Sequence, residues 1–287
     1  MSPLPLPPLS CDSHSHVFGP PSRFPVRAVT NYEPPDAPFE RHALIMQSHG
    51  LQRAVLIQPV TYQTDHSAIV DAIARSNRDL RGIGMVPGQT PPDELARLRA
   101  QGLCGLRFVE MTNPDGRGRY RGAIGVADLA RLAPSMRELE MHAQIWANAS
   151  TCVALASALQ PLRLPLVFDH MAGIDVSKGV GAADFQALLR LLAGGDIWIK
   201  LTICRVSRGP PGDFADVQPF HEALVRENPQ RLLWGSDFPF VRMGDRAPEF
   251  GQLIGCFVDW TSDSARRHIL VDNPAKLFGF STPLDSV

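Results

Sequence analysis

Cys11-Asp12-Ser13-His14-Ser15-His16-Val17-Phe18-Gly19 sets two histidines two residues apart near the start of the chain. On a strand, side chains alternate with period 2, so His14 and His16 point to one face. Two imidazoles side by side can bind a metal ion, polarise a carbonyl or share a proton with a carboxylate. A plain strand with two satisfied polar positions would carry the same letters. What gives the stretch weight is its place in a series. Short apolar runs alternate with helical patterns from here to Trp234-Gly235-Ser236-Asp237-Phe238-Pro239.

The series runs in order. Ala54 to Ile57 is a continuous apolar run ending at Gln58-Pro59, as a strand buried on both faces requires. A helical stripe of Ile69, Val70, Ile73 and Ala74 follows, and Arg81 to Pro87 reads as the third strand. Pro91 to Leu98 carries proline and acids in a first helical turn, with Gly102 as the stop. Strands are then expected at Cys104–Phe108, His142–Trp146, Leu164–His170, Ile197–Leu201 and Arg231–Ser236, with helices between most of them. Eight strands alternating with helices imply right-handed βαβ units and a parallel sheet. No glycine-rich phosphate fingerprint follows any strand, so a (β/α)8 TIM-like barrel is expected over a doubly wound nucleotide-binding sheet. The class is α/β.

Composition sets the outer limits. The chain has 287 residues, 44% hydrophobic and 20% charged, enough apolar material for one large core. A net charge of −1 points away from nucleic acid and membrane surfaces. Apolar runs such as Leu162–Phe168 are too short and interrupted to span a bilayer. Residues 1–10 read as an extended proline-rich arm rather than a signal peptide, and residues 11–287 as one barrel domain. The arm could dock on a neighbouring subunit, so a homo-oligomer is an open possibility. Five cysteines without Cys-x-x-Cys spacing suggest reduced thiols and a cytoplasmic protein.

In such barrels the chemistry sits at the C-terminal ends of the strands. There the sequence offers His14 and His16, Gln58, Arg107, Gln144 with Trp146, His170, Lys200 with Thr202, Arg205 and Asp237. Three histidines, an aspartate and two arginines would meet at one mouth. Each alone has an ordinary explanation: a turn aspartate, a core histidine, a rim arginine. Lys200 is assigned no role. His42, His49, His66, His142, His221 and His268 fall on helices or strand starts and are expected at the surface. Arg117, Arg119 and Arg121, around Tyr120, read as a solvated loop that reaches the pocket only by folding inward.

These residues, with Gly105-Leu106-Arg107-Phe108, Asp169-His170 and the closing Asn273-Pro274-Ala275-Lys276-Leu277-Phe278-Gly279-Phe280, resemble the amidohydrolase superfamily. Within it they resemble the branch typified by 2-pyrone-4,6-dicarboxylate lactonase, from about Cys11 to Phe280. The resemblance implies a distorted (β/α)8 barrel that hydrolyses a small acidic lactone. By the same resemblance His14, His16 and His170 polarise the lactone carbonyl and Asp237 takes a proton from the attacking water. Arg107 and Arg205 match positions that clasp substrate carboxylates, and Tyr32 matches a substrate-contacting tyrosine of an early loop. Trp146, Tyr62 and Arg119 complete the candidate substrate contacts.

The chemistry is consistent with this set: donors or cations stabilise a developing oxyanion, a carboxylate within reach of water acts as base, and an arginine fork suits a carboxylate. Metal-dependent members use a histidine at the end of strand 5; here Gln144, a poor ligand, stands on that strand, and no cofactor is expected. A single Zn2+ or Mn2+ on His14, His16 and Asp237 is the alternative. Val60 stands where a hydroxyl would meet a carboxylate, Trp146 where a tyrosine is expected, and no second arginine follows Arg107 in register. A lactone bearing one carboxylate, a sulfonate or a sugar-acid framework therefore fits as well as the pyrone dicarboxylate. A metal-dependent decarboxylase, and a barrel that only binds a small acid, are the competing functions.

Overall fold

Eight strands make one parallel sheet whose order follows the sequence: β1 Cys11–Ser15, β2 Arg53–Ile57, β3 Leu80–Gly84, β4 Leu103–Val109, β5 His142–Trp146, β6 Leu166–Phe168, β7 Ile197–Leu201 and β8 Leu232–Trp234. The structure, a computed structural model, describes residues 6–27, 30–77 and 79–281. Residues 1–5 of the proline-rich arm, and residues 282–287 of the expected barrel domain, lie outside the described residues. Helices α1 Phe39–Ser48, α2 Ser67–Ala74, α3 Pro92–Ala100, α4 Leu129–Glu138, α5 Ala149–Leu159, α6 Ala183–Gly194 and α7 Gln218–Glu227 alternate with the strands. Three more, α8 Phe250–Asp259, α9 Asp263–Arg267 and α10 Asn273–Phe278, follow β8. This is the (β/α)8 barrel that the alternation predicts.

Local signals explain the helix ends. Pro92 opens α3 with Asp93 and Glu94 in its first turn, where their charge favours the positive end of the helix. Asn148 caps α5 by accepting the Thr151 N–H at 3.0 Å. Gly195 ends α6 at φ +75°, a conformation that costs glycine little. Among the described residues no helix is long and apolar enough to cross a membrane.

Strand alternation divides the core into two layers. Ala54, Leu56, Ile145, Phe168, Ile199 and Leu201 pack outward against the helices. Val55, Ile57, Val167, Trp198 and Leu233 face inward, where Phe278 of α10 joins them and fills the strand-start end. The opposite end of the interior is polar. It holds Arg107, Gln144, Lys200 and the histidines, all buried.

The barrel closes between β8 and β1, and the closure depends on Asp12. Its carboxylate accepts the His14 N–H and the Ser236 N–H, each at 3.0 Å, and the Ser236 hydroxyl. The first of these bonds accompanies a bulge in β1 between Asp12 and Ser15. Past it, the Asp237 N–H donates to His14 O and the His16 N–H to Phe238 O, both at 2.8 Å. Gly235 passes so close that a Cβ there would lie 2.6 Å from the His14 Cβ. Gly235→Ala is therefore expected to cost about 1–3 kcal/mol by overpacking. The check is thermal unfolding: an unchanged Tm would mean that the strands do not meet so closely.

Candidate active site

The seam brings together residues more than two hundred positions apart. His16 Nε2 lies 3.3 Å, and His14 Nε2 3.4 Å, from the same oxygen, Oδ1 of Asp237. The other oxygen, Oδ2, is ion-paired with Arg205 Nε, and Arg205 Nη1 also donates to Val241 O at 2.9 Å. Asp237 and His170 sit at φ +64° and +51°, in the left-handed region that side chains other than glycine seldom adopt. Such strain marks positions where the surrounding structure dictates the aim of a side chain.

A second buried cluster lies beneath the first. Asp169 Oδ2 accepts from Arg107 Nε at 2.9 Å, and its Oδ1 is 3.2 Å from both Lys200 Nζ and His14 Nδ1. Lys200 donates to Gln144 Oε1 at 2.7 Å and meets His14 Nδ1 at 3.2 Å. Arg107 also stands over the Trp146 ring, 5.2 Å from its centroid, with Nη2 3.5 Å from His170 Nε2.

Burial and charge pull these groups apart. Burial alone would raise the Asp237 carboxyl, but Arg205 and the surrounding histidines outweigh it and hold it well below the usual carboxylate range. Asp169 follows the same pattern, with Lys200, His14 and Arg107 outweighing burial. Burial, helped by the Lys200 ammonium, keeps His14 well below its ordinary value, and burial takes His170 down to about 3. Both rings are neutral at pH 7. Asp12 goes the other way: burial raises it to about 7 despite three donors.

Above this floor lies a narrow cavity of about 40 Å³, lined by His16, Tyr32, Arg107, Trp146, His170, Arg205 and Asp237, with Val60, Tyr120, Val241 and Arg242 among its walls. His14 is fully buried one layer down, behind the lining, with its ring 4.7 Å from that of His170. Two candidate contacts fall elsewhere. Tyr62 is buried against Phe18, because its short 3-10 turn points it into the core. Arg119 faces outward beside Glu110, and its neighbour Tyr120 turns into the cavity instead. Arg117 and Arg121 are also exposed.

The surface assignment of four histidines is corrected by the structure. His42 bonds Ser15 Oγ, His66 accepts the Met85 N–H, His142 meets Gln144 and His221 meets Thr261 Oγ1, all in buried positions. Barrel helices bury their inner faces, so a histidine on a helix is not thereby a surface residue. His49 and His268 are partly exposed. Lys200 and Asp169 had no assigned role in the sequence, yet both lie at the centre. Tyr120 and Arg242, linked by a 2.9 Å bond from Arg242 Nη1 to the Tyr120 hydroxyl, come from loops with no periodic signal.

Whether this centre suits a metal depends on which ring nitrogens are bare. His14 Nε2, His16 Nε2 and Asp237 Oδ1 are close enough to share one ion. His16 Nδ1 is 2.8 Å from Ile57 O and its Nε2 3.3 Å from Asp237 Oδ1, so both nitrogens of this ring face acceptors. His14 Nδ1 lies 3.2 Å from both Lys200 Nζ and Asp169 Oδ1. With His16 Nε2 bonded to the Asp237 carboxylate, the set as arranged offers an ion fewer than three bare ligand atoms.

A family profile described as Amidohydrolase matches residues 11–280. The 4-sulfomuconolactone hydrolase of Hydrogenophaga intermedia is 35% identical, over 96% of this chain and 90% of its own. The 2-pyrone-4,6-dicarboxylate hydrolase of Comamonas testosteroni is 30% identical, over 95% of this chain and 91% of its own. A solved structure from Pseudomonas putida, a candidate 2-pyrone-4,6-dicarboxylic acid hydrolase, superposes with a TM-score of 0.82 at 28% identity, covering 96% of this chain and all of that one.

Proposed function

The chain belongs to the amidohydrolase family, and on that premise we propose that it is a hydrolase that opens a small acidic lactone by attack of water on the ring ester. The observation that carries this reading is the convergence of Asp237 and His16 on one point of a cavity flanked by Arg107, Arg205 and His170. Its relatives, named for 4-sulfomuconolactone and for a pyrone dicarboxylate, support the substrate class. The acid group of the substrate is a carboxylate or a sulfonate.

In this reading Asp237 Oδ1, which His16 Nε2 also approaches at 3.3 Å, accepts a hydrogen of the attacking water. Water oxygen bonds to the carbonyl carbon and one proton passes to Asp237. The ring C–O bond then breaks, and that proton goes on to the departing oxygen. Negative charge on the former carbonyl oxygen is met by Arg107 and by the neutral His170 beside it. Arg205 has two tasks in conflict: in the free protein it clasps Asp237, and in the complex it clasps the substrate acid. Exchange of partners frees the base only once substrate has arrived. Admission of a lactone to so small a cavity requires Arg242 and Tyr120 to move aside.

The reaction runs without a metal, because three fixed cations, Lys200, Arg107 and Arg205, already outnumber the two carboxylates of Asp169 and Asp237. Five free thiols fit a reducing cytoplasm, and the substrate class fits catabolism of aromatic or sugar acids. A near-neutral chain suits a small-molecule substrate rather than nucleic acid.

The test is a panel of carboxylated and sulfonated lactones, each paired with its uncharged analogue, with and without a chelator. Acidic lactones should open at rates the chelator leaves unchanged, and uncharged analogues about 100-fold slower, for want of the arginine contacts. No turnover of any lactone, beside a working lactonase, sinks the activity. Loss on chelation, restored by Zn2+, sinks its metal-free form alone.

A further inference from the structure

Lys200 takes no part in the steps above, yet it is fully buried at the floor of the centre. A lysine ammonium has three hydrogens and accepts nothing. Two find acceptors in good geometry, Gln144 Oε1 at 2.7 Å and His14 Nδ1 at 3.2 Å. The amide of Gln144 is oriented at its other end, where Nε2 meets His142 Nε2 at 3.0 Å, so its oxygen is the end that faces Lys200. Asp169 Oδ1 is as near to the lysine as His14 is, and as near to His14 Nδ1, but it makes no hydrogen bond of comparable geometry to either; its charge holds the Lys200 ammonium in place.

We propose that Lys200 is a positioning residue: by donating to His14 Nδ1 it keeps the ring hydrogen on Nε2, on the side that faces Asp237, and withholds that nitrogen from metal ions. On the far side of the ring, His14 Nε2 has one polar neighbour within reach, Asp237 Oδ1 at 3.4 Å, and no hydrogen bond among the described residues. Asp237 Oδ1 takes its histidine hydrogen bond from His16 Nε2 at 3.3 Å instead. The row His142, Gln144, Lys200, His14 therefore sets the His14 tautomer from the Nδ1 side.

The role of His14 here rests on the proposed hydrolysis, but the tautomer can be read without any substrate. Histidine-selective 15N NMR of the wild-type protein, with the His14 signals identified by their loss in His14→Gln, should show Nε2–H for His14. Lys200→Met should move His14 to Nδ1–H, now free to turn to Asp169. Zinc titrated into that variant by calorimetry should bind about tenfold or more tightly than to wild type, while kcat falls about 10- to 100-fold with KM nearly unchanged. A purely structural lysine would weaken zinc binding and activity together. A wild-type spectrum with Nδ1–H at His14 overturns the proposal, even if the variant does not fold. So does a variant with an unmoved tautomer. A protein inactive on every lactone but carrying Nε2–H at His14 would reject the hydrolase reading and leave this one standing.

Discussion

Asp237→Asn is expected to lower kcat by about 10²- to 10⁴-fold, the range of a lost general base, while leaving the barrel folded. The fold should survive because the bond that holds this residue, Asp237 N–H to His14 O, belongs to the backbone. Asparagine also tolerates the left-handed φ of +64° as readily as aspartate. What is lost is the acceptor for the water's proton and the anion that faces Arg205.

The same pair makes a prediction about pH. With Arg205 and the histidines outweighing burial, Asp237 in the free protein stays ionised through the neutral range and is protonated only as pH falls through its depressed value. The acid limb of kcat/KM, which reports the free enzyme, should therefore lie well below the usual carboxylate range. Substrate that draws Arg205 away removes the largest influence holding Asp237 down. The acid limb of kcat, which reports the complex, should then lie at higher pH. Coincident limbs would show that Arg205 never changes partner.

Much of this site is visible in the letters, for a physical reason. Strands β6 and β8 end where apolar runs stop, so His170 and Asp237 stand out as polar groups just past buried strands, while His14 and His16 stand out by their period-2 spacing at the end of β1. The (β/α)8 alternation is visible for the same reason. Lys200 is harder to read. In Ile197-Trp198-Ile199-Lys200-Leu201 the alternation puts Lys200 on the face of Trp198, but the letters do not say whether that face is the barrel interior or its wall. Only Phe278 and the inward side chains of other strands, packed beside Trp198, settle it. Asp169 is hidden beside His170, and its partners, Arg107 and Lys200, come from other strands. Tyr120 and Arg242 belong to loops whose path depends on backbone turns that no periodicity records. The misplaced histidines fail similarly: Ser15, Met85, Gln144 and Thr261, which satisfy them, lie mostly on other elements.

Asp169→Asn should be the most destabilising single change at the centre. It would leave Arg107 and Lys200, both buried, with no anion at 2.9 and 3.2 Å. An uncompensated buried charge costs about 3–5 kcal/mol. For a chain of this size that corresponds to a Tm lower by roughly 10 °C. The pH dependence follows from the sign of the shift. A carboxyl held below its unfolded value contributes stability that is fully present above about pH 4 and is lost as pH falls through the folded value. The deficit of the variant should thus be constant through the neutral range and shrink only in acid. Removing one stranded cation as well, in Asp169→Asn with Lys200→Met, should recover about 1–3 kcal/mol, since the two sites share one charge balance. Chemical denaturation of the two single variants and the double variant measures this directly. If the double variant loses as much as the two single losses added together, Asp169 and Lys200 act independently. The floor of the site is then held by packing rather than by opposed charge.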